Sequence, residues 1–277
     1  MPVTITAVII TQNEERNIGR CLQSLQGVAD EIVVVDSGST DATESICREA
    51  GARFEHHGWE GFAEQKNYAN SLATGDWILS IDADEALSEE LRKSIIKIKE
   101  EEAEREGARG AAEGLTAVSG FKLQVSGGHK AYSINRLTNY CGHWIRHCGW
   151  YPDWCCRLWR KGDAIWEGIV HEELRFVGEV RHERITGDLH HYSYYNVAEH
   201  ASRLAKYAKL GAEKYHEKGK RCGAMSIMLR PAWTFIRNYF LKGGMLDGWA
   251  GFVVCRMEAM YTMTKYAELY RLSHKES

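Results

Sequence analysis

No apolar run in this chain of 277 residues approaches the ~20 that a helix needs to cross a bilayer, which excludes a helical membrane protein. The apolar opening over 4–10 has no basic stretch before it and is too short for a secretory signal, so no leader is expected. Charge of one sign is also lacking. A net charge of −3 makes no field that would gather nucleic acid, which drops out as a partner. Eight cysteines are present, but without a disulfide-scaffold spacing, and we expect reduced thiols in a cytosol. Cys141, His143, His147, Cys148, Cys155 and Cys156 are zinc-type ligands with no C-x2-C pair matched by a second, so we reject structural zinc. No G-x-G-x-x-G follows the first apolar run, which lowers a dinucleotide reading.

What is present is the composition of a globular protein, 44% hydrophobic and 26% charged, at a length that allows one large domain or a domain with an appendage. Strands are predicted over 4–10, 31–35, 53–55 and 77–81. Between them lie helices: one capped by Asn13 with Glu14 and Glu15 in its first turn, one ending at Ala50, and one over 62–73. The first presents Ile18, Cys21, Leu22 and Leu25 on one face and stops at Gly27. Four alternations of strand and helix with short loops predict a doubly wound α/β sheet. In such sheets ligands sit beyond the carboxyl ends of the strands. Three polar clusters fall there: Thr11, Gln12, Asn13 and Glu14; Asp36 to Asp41; and Asp82, Ala83, Asp84 and Glu85.

Asp82 and Asp84, two residues apart at a strand's end, can turn both carboxylates toward one cation. Their repulsion calls for a hard divalent ion such as Mg2+ or Mn2+, which would take pyrophosphate oxygens in turn. The plain alternative is that Asp84 caps a helix near Ser88 and Asp82 faces solvent; three polar tips on one rim favour the site. Asp36 can accept from a base imide or ribose hydroxyls, with Gly38 allowing the tight turn, while Thr40 or Asp41 caps the next helix. Lys66, Asn67 and Asn70 share roughly one helix face, where Lys66 would meet a phosphate or the nucleotide's sugar rather than solvent. His171 and Glu172 each qualify by chemistry as a general base for a hydroxyl. His190 and His191 offer either a metal ligand or a structural pair.

Residues 94–114, rich in Lys, Glu, Ala, Arg and Gly, read as a helix end running into a solvated flexible insertion over 100–116. A strand is expected over 118–125. After Asn196 three helices are predicted, over 197–218, 225–241 and 247–272, which gives a domain over 1–195, with halves 1–99 and 117–195, and a helical region over 196–277. In and just outside the second helix Arg221, Arg230, Arg237 and Lys242 interleave with Met225, Leu229, Trp233, Phe235 and Phe240. That pattern suits a headgroup boundary or an amphipathic helix against its own core. Pro231 is expected to break it.

Val34-Val-Asp36-Ser-Gly-Ser-Thr-Asp41, Gln65-Lys-Asn-Tyr-Ala-Asn70 and Ile81-Asp-Ala-Asp-Glu85 resemble the nucleotide-sugar half of family 2 glycosyltransferases, which have the GT-A fold, a Rossmann-like doubly wound mixed sheet. Trp144-Ile-Arg-His, Gly149-Trp-Tyr-Pro-Asp153, Arg157-Leu-Trp-Arg160, Gly168-Ile-Val-His-Glu172, Gly187-Asp-Leu-His-His-Tyr-Ser-Tyr194 and Leu246-Asp-Gly-Trp-Ala-Gly251 resemble bacterial lipopolysaccharide inner-core β-1,4-glucosyltransferases. The resemblance implies a metal-dependent inverting transfer of a hexose, glucose from UDP-glucose, onto a lipopolysaccharide core or other lipid-linked oligosaccharide. The enzyme would work in the cytoplasm, peripheral on the inner face of an anionic membrane. It implies Thr11, Gln12, Asn13, Glu14, Asp36, Ser39, Lys66 and Asn67 around the nucleotide, Asp82 and Ala83 at the ribose, Asp82, Asp84 and His191 on Mn2+ or Mg2+, and Glu172 as base. Cys155 and Cys156 depart from the pattern, where polar residues are expected. A nucleotidyltransferase, or a non-catalytic scaffold that binds nucleotide sugar, are the alternatives.

Overall fold

The computed structural model describes residues 2–119, 129–168 and 172–274. Two compact units divide the chain: Met1–Arg136 with Trp154–His191, and Leu137–Asp153 with Tyr192–Ser277.

The first unit is built on β1 (Ile5–Thr11), β2 (Glu31–Asp36), β3 (Arg53–His56) and β4 (Trp77–Asp82), paired in parallel in the order β3-β2-β1-β4. Val33, Val34 and Val35 are wholly buried, as the unbroken apolar run of a central parallel strand requires. Helices α1 (Ile18–Leu25), α2 (Thr43–Glu49) and α3 (Phe62–Leu72) make the crossovers. Beyond β4 the sheet turns antiparallel and becomes mixed, continuing through β8 (Trp154–Arg160), β6 (His129–Tyr140), β11 (Val180–Tyr194) and β5 (Glu85–Leu87). A separate hairpin pairs β9 (Ala164–Glu167) with β10 (Glu173–Phe176). This is the GT-A-like arrangement, with long helices at the C-terminus. Because β1 lies between β2 and β4, chain order reverses at β1, and a crevice is expected at the carboxyl ends of β1 and β4.

Helix α1 buries the expected face, Ile18, Cys21, Leu22 and Leu25, but starts later than its sequence suggests. Asn13 does not cap it. Asn13 adopts a left-handed φ of 55°, which Asn tolerates, and its Oδ1 accepts from the Thr40 amide at 2.8 Å. The Glu14 carbonyl instead accepts from Asn17 and Ile18, both at 2.9 Å. Asp84 does not cap a helix either. β5 intervenes, and the Leu91 amide of α4 (Glu89–Ser119) donates to Ser88 Oγ at 3.2 Å. Helix α4 is a further correction: the charge-rich stretch expected to leave the helix continues it to Ser119. Its Ala, Glu, Lys and Arg are strong helix formers, and Ile96, Ile98 and Ala103 pack on a core that holds Leu91 and Ile95. The strand expected over 118–125 therefore starts inside α4, and its remainder lies outside the described residues. Gly187 in β11 lets this helix approach: a Cβ there would collide with the backbone of Glu90 and Leu91.

In the second unit β7 (His143–Ile145) pairs with the last residues of β6. Tyr140, Ile145, Cys148, Ala250, Val254 and Cys255 form its core. Helix α5 (Val197–Glu217) begins with a reciprocal cap, in which the Glu199 amide donates to Asn196 Oδ1 at 2.9 Å and the Tyr195 amide to Glu199 Oε2 at 3.1 Å. Helices α6 (Ala224–Ile236) and α7 (Gly248–His274) follow. Pro231 sits inside α6 and does not end it; the α pattern gives way only at Arg237–Leu241, a π turn. Packing of α6 along α7 outweighs the one backbone hydrogen bond Pro231 removes.

Candidate active site

At the carboxyl rim of the first unit, β4 ends in Asp82 and β5 begins at Glu85. Arg157, on β8 and 4% exposed, joins them: its Nη2 donates to Asp82 Oδ2 at 2.8 Å and to Glu85 Oε1 at 2.7 Å. The Asp82 amide donates to Glu85 Oε2 at 2.9 Å, which closes the turn. Burial opposes ionisation of Asp82, but the charges of Arg157 and Lys66 outweigh it and hold the carboxyl well below the usual range. Glu85 goes the other way: burial pushes it up, the Asp82 charge adds to that, and Arg157 only partly offsets them. Burial works against the charge of Arg157, yet Asp82 and Glu85 raise its affinity for the proton further.

Lys66 projects from α3 onto the same carboxylate. Its Nζ is 3.4 Å from Asp82 Oδ1 and 3.3 Å from Glu172 Oε1, and it lies 4.5 Å from the centre of the Trp166 ring. Lys66 and Glu172, given separate roles in the sequence, are thus brought together with Asp82. His171 lies outside the described residues. Asn67, placed with the nucleotide in the sequence reading, is committed elsewhere: its Nδ2 donates to the Trp166 carbonyl at 2.8 Å and its Oδ1 accepts from the Trp166 amide at 2.9 Å. It clamps α3 to β9 and sets the ring over which Lys66 lies.

The expected metal set divides. His191 Nε2 is 3.2 Å from Asp84 Oδ2, while Asp82 is taken up by Arg157 and Lys66. Burial lowers the proton affinity of His191, but the hydrogen bond and charge of Asp84 raise it overall. Among the described residues no three His, Cys, Asp or Glu side chains converge on one ion. The donors that fit are therefore two, Asp84 and His191. Their separation is near the edge, about 3 Å, of an octahedron with ligands at about 2.1 Å. A carboxylate, an imidazole and oxygens from phosphate and water suit Mg2+ or Mn2+.

The other polar tips form a second cradle beside β1. Asp36 is buried, and its Oδ2 accepts from the amides of Gly38 and Ser39 at 2.9 and 2.8 Å while Ser39 Oγ donates to Oδ1. Asp36 thus shapes the loop before it can meet any ligand. Ser39 Oγ also accepts from the Asn13 amide at 2.7 Å, and Thr43 Oγ1 accepts from the Glu14 amide at 2.8 Å. Gln12 Nε2 reaches the Ser37 carbonyl at 3.4 Å. Thr11 Oγ1 is buried and has no hydrogen-bond partner among the described residues. Ala83 is buried in the turn between Asp82 and Asp84.

Two contributors, quoted in the sequence only as parts of longer motifs, were given no role of their own there. Gln65, wholly buried, donates to Ser37 Oγ at 2.9 Å and to the His57 carbonyl at 3.0 Å, which braces the second cradle. Arg157 entered the sequence reading only as part of the stretch Arg157-Leu-Trp-Arg160; a charge in the middle of a strand beside Leu158 and Trp159 is the signal that could have marked it.

Residues 6–105 match the model of Glycosyl transferase family 2. The lipopolysaccharide core biosynthesis glycosyltransferase LpsC of Rhizobium meliloti is 30% identical over 96% of this chain and 92% of its own length. An uncharacterized glycosyltransferase of Rickettsia typhi is 27% identical over 98% of this chain and 88% of its own. Glucosyl-3-phosphoglycerate synthase from Mycobacterium tuberculosis, solved with Mn2+ and uridine diphosphate, is 30% identical over 30% of this chain with a TM-score of 0.28. The match spans about a third of that enzyme, 34% of its chain, and too little of either for its ligands to be carried over. The near full-length relative and the family match over residues 6–105 agree: the chain belongs to glycosyl transferase family 2.

Proposed function

We propose that the protein transfers a hexose, glucose from UDP-glucose, to a hydroxyl of a lipopolysaccharide-core or other lipid-linked glycan, with inversion at the sugar carbon. The observation that carries this reading is the rim itself. A carboxylate–imidazole pair, Asp84 and His191, stands next to a clamped carboxylate, Asp82, at the point where the order of the parallel strands reverses. The printed role of the Rhizobium relative in lipopolysaccharide core synthesis supports the acceptor class. Family membership speaks against the nucleotidyltransferase alternative.

In this reading Asp84 and His191 hold Mn2+ or Mg2+, whose charge would stabilise the departing diphosphate. Thr11 and the cradle formed by Asn13, Asp36 and Ser39 receive the nucleoside. Arg157 and Lys66 fix Asp82 so that it can accept from the donor without moving. Lys66 also orients Glu172, which takes the proton from the attacking hydroxyl. A single displacement then inverts the anomeric carbon. Purified protein incubated with radiolabelled UDP-glucose and Mn2+ should release UDP, slowly to water and faster with core oligosaccharide. A chain that binds UDP but yields no UDP from any UDP-hexose under either condition would be a scaffold, and the proposal would fail.

A further inference from the structure

Helix α6 is built inside out. Its buried side chain is polar, Thr234 at 8% exposure, and the π turn that continues it buries Asn238 at 5%. Its large apolar side chains face outward: Met225, Met228, Leu229, Trp233, Ile236 and Phe240 are 45–72% exposed. Their spacing of three and four residues puts them on one stripe. The neighbouring helix extends it. Trp249 and Phe252 of α7 are 50% and 46% exposed, and the Phe252 ring is 5.9 Å from that of Phe235 and 5.8 Å from that of Tyr239. At roughly 100 Å2 for half of a large side chain, these eight residues exceed the few hundred Å2 that monomeric proteins leave open.

The charges around the stripe have one sign. From Lys218 to Leu246 the chain carries Lys218, Lys220, Arg221, Arg230, Arg237 and Lys242 and no Asp or Glu. The whole chain is at −3, so the basic segment is set against an acidic remainder. An occupant must therefore be apolar at its centre and anionic around it. No helix among the described residues is long and apolar enough to cross a membrane. A stripe of apolar and aromatic residues flanked by Lys and Arg is the composition of a helix that lies in the lipid interface, where rings enter the acyl boundary and cations meet phosphates. Two half-exposed tryptophans, with an apolar body and a polar N–H, suit that depth.

We propose that α6, the turn after it and the first turns of α7 form a docking surface for an anionic lipid bilayer. This surface stands on its own residues and does not depend on the transfer reaction proposed above. It is tested by sedimenting the full chain with vesicles of phosphatidylcholine, with and without phosphatidylglycerol, at low and high salt. Wild type should pellet with the anionic vesicles at low salt and lose most of that binding at high salt or on phosphatidylcholine alone. M228Q/L229Q/W233Q should stay in the supernatant in every condition, and K218Q/K220Q/R221Q should bind several-fold more weakly and with less salt dependence. Both should release UDP from UDP-glucose as the wild type does, which separates loss of docking from loss of the donor site. If the apolar variant does not fold, tryptophan emission of the wild type decides: quenching by brominated lipid is expected, and its absence overturns the proposal. Wild type that remains in the supernatant with anionic vesicles at low salt also overturns it. A dimer that M228Q/L229Q/W233Q converts to monomer would then assign the stripe to a second copy of the chain.

Discussion

Arg157 carries more of the site than any other single side chain, because one guanidinium satisfies the buried Glu85 and the half-buried Asp82. Removing it leaves Asp82 and Glu85 close together without a cation between them. Arg157→Met should therefore lower stability by about 3–5 kcal/mol, the usual cost of breaking a buried pair from one side. Urea unfolding reads this directly, and a loss under about 1 kcal/mol would show that Lys66 beside Asp82 and Arg136, whose Nη1 is 3.7 Å from Glu85 Oε1, suffice. In the proposed reaction Glu172 belongs to the chemistry and not to the fold. Glu172→Gln should keep UDP affinity and melting temperature but slow transfer roughly 10²–10⁴-fold; normal turnover would move the base to another group. Asp82, Asp84, Lys66 and Glu172 stood out in the sequence as chemically apt residues, three of them at or beside strand ends and Lys66 within α3, and the structure places Lys66 beside both Asp82 and Glu172. Arg157 did not stand out, since its partners lie 75 and 72 positions away and no local pattern records such a pairing. Asn67 misled for the opposite reason. Its helix face is that of a ligand contact, but a backbone 99 positions on satisfies it.

Elements were legible where local signals agree. The four parallel strands and the crossover helices follow from alternating apolar runs and polar tips, and α5 follows from Asn196 and Glu199. Where tertiary packing decides, the sequence fell short: α4 runs on because its inner face meets the core, and α6 passes through Pro231 because α7 supports it. The clamp between α3 and β9 gives a decisive test. Asn67→Ala strands the Trp166 amide and carbonyl and should cost about 1–3 kcal/mol, measured by thermal unfolding. If stability were unchanged and only the KM for the donor rose, Asn67 would be a ligand contact after all. Gly187→Ala should be worse than its single methyl suggests. The strained φ of 95° costs about 1–3 kcal/mol, and α4 must also move away from β11. An unchanged melting temperature would contradict the close approach.

At the scale of the molecule, the division into two units was only partly readable. Helices after Asn196 announce themselves, but nothing local tells that 137–153 packs with them. That segment is drawn in by pairs such as His147 Nδ1 with Asp247 Oδ1 at 2.7 Å. The second unit also carries a pH signature. Burial, with the Arg203 charge adding to it, pushes His200 down to about 4 from 6.5. The folded state thus binds this proton less readily than the unfolded chain, so the contribution is full above about 6.5 and is lost as pH falls toward 4. The stability advantage of wild type over His200→Gln should shrink between pH 7 and pH 4.5, and an advantage constant across that range would show that His200 titrates normally. The account of the whole protein turns on the metal and its two donors. Its most direct test is UDP release from UDP-glucose by the metal-stripped chain, measured in EDTA, after Mn2+ is restored, and for Asp84→Asn with Mn2+ present. Release is expected only in the Mn2+-restored wild type, with Asp84→Asn losing most of it while melting as the wild type does. Full turnover in EDTA, or an Asp84→Asn variant as active as the wild type, would contradict it.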